Sequence, residues 1–150
     1  KQIDIELAKY PADQRRSAVM AALRIAQVEQ GYLKPEAIEF VADYIGMAPV
    51  AAYEVATFYN MYDLAPVGKY KLTVCTNLPC ALRGGVDAAQ YLQHKLGIGF
   101  GETTPDGRFT LVEGECMGAC GSAPVMLVNN HKMCSHMTAA EIDRKLSELD

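Results

Sequence analysis

The sequence predicts a mixed α+β and α/β protein, with an N-terminal helical bundle over residues 1–66 and a four-stranded sheet domain over residues 67–150. Three observations predict it. Before Pro66 the apolar residues recur at helical spacing between Gly and Pro stops; after it short β-prone runs take over; and those runs combine with two helical stretches in the order βαβββα.

Pro11 can open a helix, and Val19, Ala22, Leu23 and Ala26 then recur at i, i+3, i+4 and i+7 until Gly31, which predicts a helix over residues 12–30. Pro35 opens a second, with Ala37, Phe40, Val41 and Tyr44 on one stripe and Gly46 as its stop. Pro49 opens a third, with Val55, Phe58, Tyr59 and Tyr62 as its stripe before Asp63 and Pro66 end it. A DNA-reading helix pair around Gly46 fails on charge, because residues 49–62 hold no Lys or Arg to meet a phosphate. Tyr53, Phe58, Tyr59 and Tyr62 are expected to be packing and interface residues.

After Pro66-Val67-Gly68, Tyr70 to Val74 reads as a strand ending at Cys75. Leu82, Val86, Ala89 and Leu92 or Leu96 carry a helix over 81–96, stopped by Gly97. Residues 97–107 are polar and glycine-rich, and Arg108 to Val112 alternates like a strand. Val125–Val128 and His131–Cys134 predict a hairpin about a two-residue turn, Asn129-Asn130, which sets Val125 opposite Cys134. Thr138-x-x-Glu141 is a capping box, and Ile142, Leu146 and Leu149 make the last helix amphipathic.

At 150 residues the chain is long enough to bury roughly 70% of its unfolded surface. Half of the residues are apolar and 21% are charged, a composition that fits neither a disordered tail nor a membrane protein. With 14 Lys and Arg against 18 Asp and Glu the net charge is −4, and no basic cluster offers a footprint for a polyanion, so no nucleic-acid partner is expected. No apolar run approaches the roughly 20 residues a membrane span needs, so no direct membrane insertion is expected. Lys1-Gln2-Ile3-Asp4 has no signal-peptide architecture, and because Met does not come first the natural N-terminus is expected upstream.

Five cysteines without a secretion signal are hard to read as a disulfide framework. Four fall in two close pairs, Cys75-x4-Cys80 and Cys116-x3-Cys120, each just past the end of an expected strand in a loop rich in Gly and Pro. Zinc knuckles and thioredoxin-type dithiols both favour a tighter Cys-x2-Cys, and a Rieske centre needs two histidines, whereas His94, His131 and His136 lie outside both loops. An iron-sulfur cluster fits the spacing best. The wider x4 and x3 gaps favour two irons over four. Gly84, Gly85, Gly114, Gly118 and Gly121 offer backbone that can approach sulfur closely. A structural zinc module and a thiol-based redox enzyme or sensor remain as rivals.

Val74-Cys75-Thr76-Asn77-Leu78-Pro79-Cys80-Ala81-Leu82-Arg83-Gly84-Gly85, followed after the 35-residue gap by Gly114-Glu115-Cys116-Met117-Gly118-Ala119-Cys120-Gly121-Ser122-Ala123-Pro124, resembles the family of 24-kDa subunits of respiratory complex I, the NADH:quinone oxidoreductase. The resemblance extends to Ala56-Thr57-Phe58-Tyr59 and to Asn129 ahead of the Thr-capped helix, and takes in relatives in NAD-linked hydrogenases and formate dehydrogenases. It implies a thioredoxin-like ferredoxin domain whose Cys75, Cys80, Cys116 and Cys120 bind one 2Fe-2S cluster. It also implies a place on the peripheral arm beside a flavin-bearing, NADH-oxidising subunit and further peripheral-arm subunits, with FMN and NADH on that partner. The cluster would take an electron from the flavin while lying off the main path to quinone, and no complete active site is expected on this chain alone. The arm would face the cytoplasm at the inner membrane, or the matrix in a mitochondrion.

Cys134 stands outside the family motif and is expected to be a small buried hydrophobe. Arg83 can bring positive charge towards the cluster and raise its potential, whereas Glu113 and Glu115 are expected to disfavour reduction or meet a basic partner. Gly97-x-Gly99-x-Gly101 follows a helix rather than a strand, so a loop is expected there and not a dinucleotide site.

Overall fold

A computed structural model describes residues 1–149. They form two compact units, Lys1–Pro66 and Val67–Asp150.

In the first unit α1 spans Gln2–Leu7, a 3-10 segment covers Ala12–Ala18, and α2 (Val19–Gln30), α3 (Pro35–Ile45) and α4 (Pro49–Phe58) follow. Proline opens both α3 and α4, where its missing N–H would have no helical partner in any case. Gly46 closes α3 in the left-handed conformation at φ 86°. The helix expected over 12–30 is therefore two pieces, and α1 lies outside the periodic pattern altogether. The buried faces also differ from the expected stripes. On α3 they are Ala37, Ile38, Val41, Ala42 and Ile45, leaving Phe40 and Tyr44 exposed; on α4 they are Ala52 and Ala56, and Phe58 is 80% exposed. On α4 alanine at the contacts lets helix axes come close, so the small residues take the inside and Phe58 is turned out; on α3 the aliphatic Ile38, Val41 and Ile45 fill the core beside the alanines. Tyr62, beyond the end of α4, is buried, and its hydroxyl donates to Met20 O at 2.9 Å.

The second unit holds a four-stranded sheet of β1 (Tyr70–Cys75), β2 (Phe109–Gly114), β3 (Met126–Val128) and β4 (Lys132–Cys134) in the order β2-β1-β3-β4. β1 and β2 run parallel, which requires a crossover, and the short α5 (Leu78–Ala81) and α6 (Gly85–Leu96) supply it. β1–β3 and β3–β4 are antiparallel. Leu72, Val74, Phe109, Leu111, Met126 and Val128 share one core with Ala89 and Leu92 of α6 and with Ile142 and Leu146 of α7 (Ala139–Glu148). Thr138 caps α7, its hydroxyl accepting from Glu141 N–H at 3.4 Å.

Two expectations are corrected here. The helix expected over 81–96 breaks at Gly84, which takes φ 88° and starts α6 at Gly85; Leu82 is left 79% exposed. The hairpin register is one residue off. Asn129 and Asn130 both take positive φ and His131 N–H closes the turn on Val128 O, yet the ladder resumes at Val128↔Lys132, so Met126 and not Val125 faces Cys134.

Candidate metal centre

The parallel register aligns the last residue of β1, Cys75, with the last residue of β2, Gly114. Both cysteine loops therefore leave the sheet at the carboxyl ends of neighbouring parallel strands, where open α/β sheets place ligands. Cys75 N–H donates to Val125 O at 3.1 Å, which sets the residue before β3 beside the site. Asn77 caps α5, its Oδ1 accepting from Leu78 N–H at 3.2 Å, and this turn of helix carries Cys80.

Cys75 and Cys80 are both buried and share an apolar cluster with Ala123 and Val125, against which Met117 and Ala119 of the second loop pack. Met117 and Ala119 lie between Cys116 and Cys120, so the apolar contact brings one loop onto the other. Cys116 is exposed and Cys120 half-buried, with their sulfurs 3.5 Å apart. Gly118, at φ 74°, turns its N–H to Cys116 Sγ at 3.5 Å. That N–H, and then the neighbouring Cys120 thiol, hold the Cys116 thiol below its ordinary range. Burial, and then the bond with Cys75, push Cys80 up, with a smaller push from Cys120. The bond with Cys116 comes first in raising Cys120, followed by burial and by the charges of Cys116 and Cys75.

All five cysteines are free thiols, and among the described residues no three His, Cys, Asp or Glu side chains converge as a site for one metal ion. The thiols stand instead as two pairs that feel each other's charge. Such a two-plus-two donor set matches a cluster in which each of two irons takes two thiolates. Close backbone on both sides completes the fit: a Cβ on Gly85 would stand 2.8 Å from the Cys75 and Cys80 carbonyl oxygens, and one on Gly114 2.5 Å from Thr73 Cγ2 and 3.0 Å from Met117 Cε.

The rim carries residues of the second rank. Arg83 Nη1 donates to Gly121 O at 3.3 Å, tying the first loop to the residue after Cys120. Glu113 and Glu115 accept from Thr76 and Asn77, partners that no spacing in the sequence points to; only the parallel register sets 76–77 beside 113–115. Cys134 lies in β4 with its thiol pushed up by burial, in the main core and not among the four other cysteines. His94, His131 and His136 are all exposed. Gly101 N–H donates to Leu111 O at 2.7 Å and Gly99 N–H to Glu102 Oε2 at 2.6 Å, so the glycine-rich stretch is a loop laid along β2.

Residues 3–150 match the family of thioredoxin-like 2Fe-2S ferredoxins. The chain belongs to that family. It is 44% identical over 142 residues to NADH-quinone oxidoreductase subunit 2 of Thermus thermophilus, covering 95% of this chain and 78% of that protein. A subunit of the NADH-quinone oxidoreductase of Rickettsia typhi is 49% identical over 125 residues, which is 83% of this chain and 74% of the relative. The mitochondrial NADH dehydrogenase (ubiquinone) flavoprotein 2 of Dictyostelium discoideum is 46% identical over 125 residues, 83% of this chain and 51% of that one. Among solved structures, an NAD+-reducing NiFe-hydrogenase in its H2-reduced state matches at TM-score 0.73 and 22% identity, over 87% of this chain and 22% of the hydrogenase chain, a likeness of fold alone. This ferredoxin is thus homologous to subunits of an oxidoreductase complex. Among the described residues no helix is long and apolar enough to cross a membrane.

Proposed function

We propose that this ferredoxin is the electron-transfer subunit of an NADH:quinone oxidoreductase, and that Cys75, Cys80, Cys116 and Cys120 hold one 2Fe-2S cluster. The observation that carries the reading is the pair of two-thiol loops at the carboxyl ends of adjacent parallel strands, in a chain matched to the family from residue 3 to residue 150. When bound, the cluster supplies storage for one electron at a time. The chain's own residues hold the thiolates, place Gly118 N–H on the Cys116 sulfur, and keep Cys75 and Cys80 in an apolar, low-dielectric floor.

The electron donor in this reading is the flavin of an adjacent NADH-oxidising subunit, which holds FMN and NADH. The helical unit over residues 1–66 is the part that contacts the larger partner, its exposed Phe58 and Tyr59 forming an edge-to-face pair that a partner surface would cover. The assembly sits on the peripheral arm, on the cytoplasmic side of a bacterial membrane or the matrix side in a mitochondrion. The hydrogenase resemblance, being of fold alone, does not favour that enzyme over the quinone-linked one.

The test is iron and acid-labile sulfide per chain on anaerobically purified protein, with electron paramagnetic resonance before and after dithionite. Two of each per chain, and a signal only on reduction, are the expected result. Serine at Cys75, Cys80, Cys116 or Cys120 should abolish or change that signal, while Cys134→Ser should keep it. Zinc without sulfide, or thiol activity without metal, would overturn the proposal.

A further inference from the structure

The rim of the cysteine site is laced across the two parallel strands by side chains that cluster ligation does not use. Thr76 Oγ1 donates to Glu113 Oε1 at 2.6 Å, and Asn77 Nδ2 donates to Glu115 Oε2 at 2.6 Å. Asn77 is at the same time the cap of the helix that carries Cys80. The two ties therefore run from Glu113 within β2 and Glu115 just past its end, three residues and one residue before Cys116, to the segment between Cys75 and Cys80. Gly114, between the two glutamates, has no room for a side chain, so the backbone there is packed down and has little freedom to release them.

Each tie ends on a carboxylate, and that choice has an electrostatic consequence. A neutral amide would accept the same hydrogen bonds. Reducing a four-thiolate cluster adds one electron to a group that is already negative, and fixed negative charge nearby opposes the addition. Arg83, bonded to Gly121 O, brings one positive charge to the same rim against these two negative ones. We propose that Glu113 and Glu115 are positioning residues that hold the Cys75–Cys80 segment against the second cysteine loop and, through their charge, lower the potential of the cluster. This rests on the proposed four-cysteine cluster.

The experiment is a redox titration followed by electron paramagnetic resonance at fixed pH and ionic strength, on wild type, Glu113→Gln, Glu115→Gln, the double variant and Thr76→Val. Glutamine keeps an acceptor oxygen and removes the charge. Each single Gln variant should favour the reduced form about threefold, and the double variant about tenfold, an upward shift of about 59 mV for one electron. Thr76→Val removes a tie and keeps the charge. It should speed amide exchange over residues 76–80 in the cluster-free protein without an upward shift in potential. A double Gln variant with an unchanged or lower potential overturns the inference, and so does Thr76→Val raising the potential as far as Glu113→Gln. Failure of both single Gln variants to load a cluster, with wild-type exchange in the cluster-free state, overturns it as well, because a charge that tunes potential is dispensable for loading. Wild type without two irons and two sulfides removes the functional reading and this inference together; wild type that loads beside unshifted variants removes this inference alone.

Discussion

Gly85 shows how little slack a single residue leaves at the cysteine site. In most helical positions replacing glycine by alanine stabilises, because the chain loses less entropy on folding. Here the added Cβ would lie 2.8 Å from Cys75 O, Cys80 C and Cys80 O, all of them backbone atoms of the two buried cysteine residues. None can retreat without moving a thiol. Gly85→Ala should therefore destabilise by about 1–3 kcal/mol, lowering Tm by about 4–8 °C per kcal/mol for a unit of this size, and should reduce iron per chain. Gly121→Ala is the control, since nothing lies within 4 Å of its added carbon and its φ needs no glycine; thermal melting and iron content should match wild type. Both glycines are equally visible beside the cysteines in the sequence. Spacing identifies the cysteine pairs because the strand-ending pattern brackets them, but it carries no information on which backbone atoms approach which glycine, nor that Thr76 and Asn77 reach Glu113 and Glu115.

At the level of elements, the packing of α6 on α7 is fastened by a three-membered polar contact. Tyr91 Oη donates to Asp143 Oδ2 at 2.9 Å and Lys95 Nζ pairs with Asp143 Oδ1 at 2.9 Å. The bond from Lys95, and then the one from Tyr91, hold the Asp143 carboxyl below its usual range, while the same contacts raise Lys95 and Tyr91. A carboxyl with a depressed pKa in the folded state gives stability that is complete above its unfolded value near 3.8 and is lost as pH falls through the folded value. Raised Lys95 and Tyr91 give stability present below their unfolded values and lost as pH rises through the folded ones. Asp143→Asn should thus melt below wild type at neutral pH, with the gap closing at strongly acid pH; a gap that stays constant down to acid pH would mean that the charge of Asp143 contributes nothing. The helices themselves are largely legible in the sequence, because Pro35, Pro49, Gly46, Gly97 and Thr138 punctuate them. Their buried faces are not. Period alone cannot rank Phe40 against Ile38 or Phe58 against Ala56; which face meets the neighbouring helices decides both, and it buries Ile38 and Ala56 while leaving both rings exposed. The break at Gly84 is hidden for a related reason, since Leu82 and Val86 continue a helical stripe that solvent and not the core receives.

Across the whole molecule the apolar cores follow the two units. One core draws on residues from Leu7 to Tyr62, and the cores of the sheet unit on residues from Leu72 to Leu146. The sheet unit also satisfies the buried Thr110 from within: Thr110 Oγ1 accepts from Gly68 N–H at 2.7 Å and meets Thr103 Oγ1 at 2.7 Å, whereas the buried Thr73 Oγ1 has no hydrogen-bond partner among the described residues. A fragment over residues 67–150 should accordingly fold without the helical unit, although it stands near the size at which one core is barely sufficient and small domains recruit a metal. Any group bound by the folded state alone adds stability by mass action. The fragment should therefore show dispersed amide resonances and a cooperative melt when free of iron, should take up two irons and two sulfides on reconstitution, and should then melt at a higher temperature. A fragment that collapses without a cooperative transition, while the full chain melts cooperatively in the same buffer, would show that the helical unit supplies part of the sheet unit's stability. Loading by the full chain but not by a cooperatively folded fragment would place part of the cluster's support in residues 1–66.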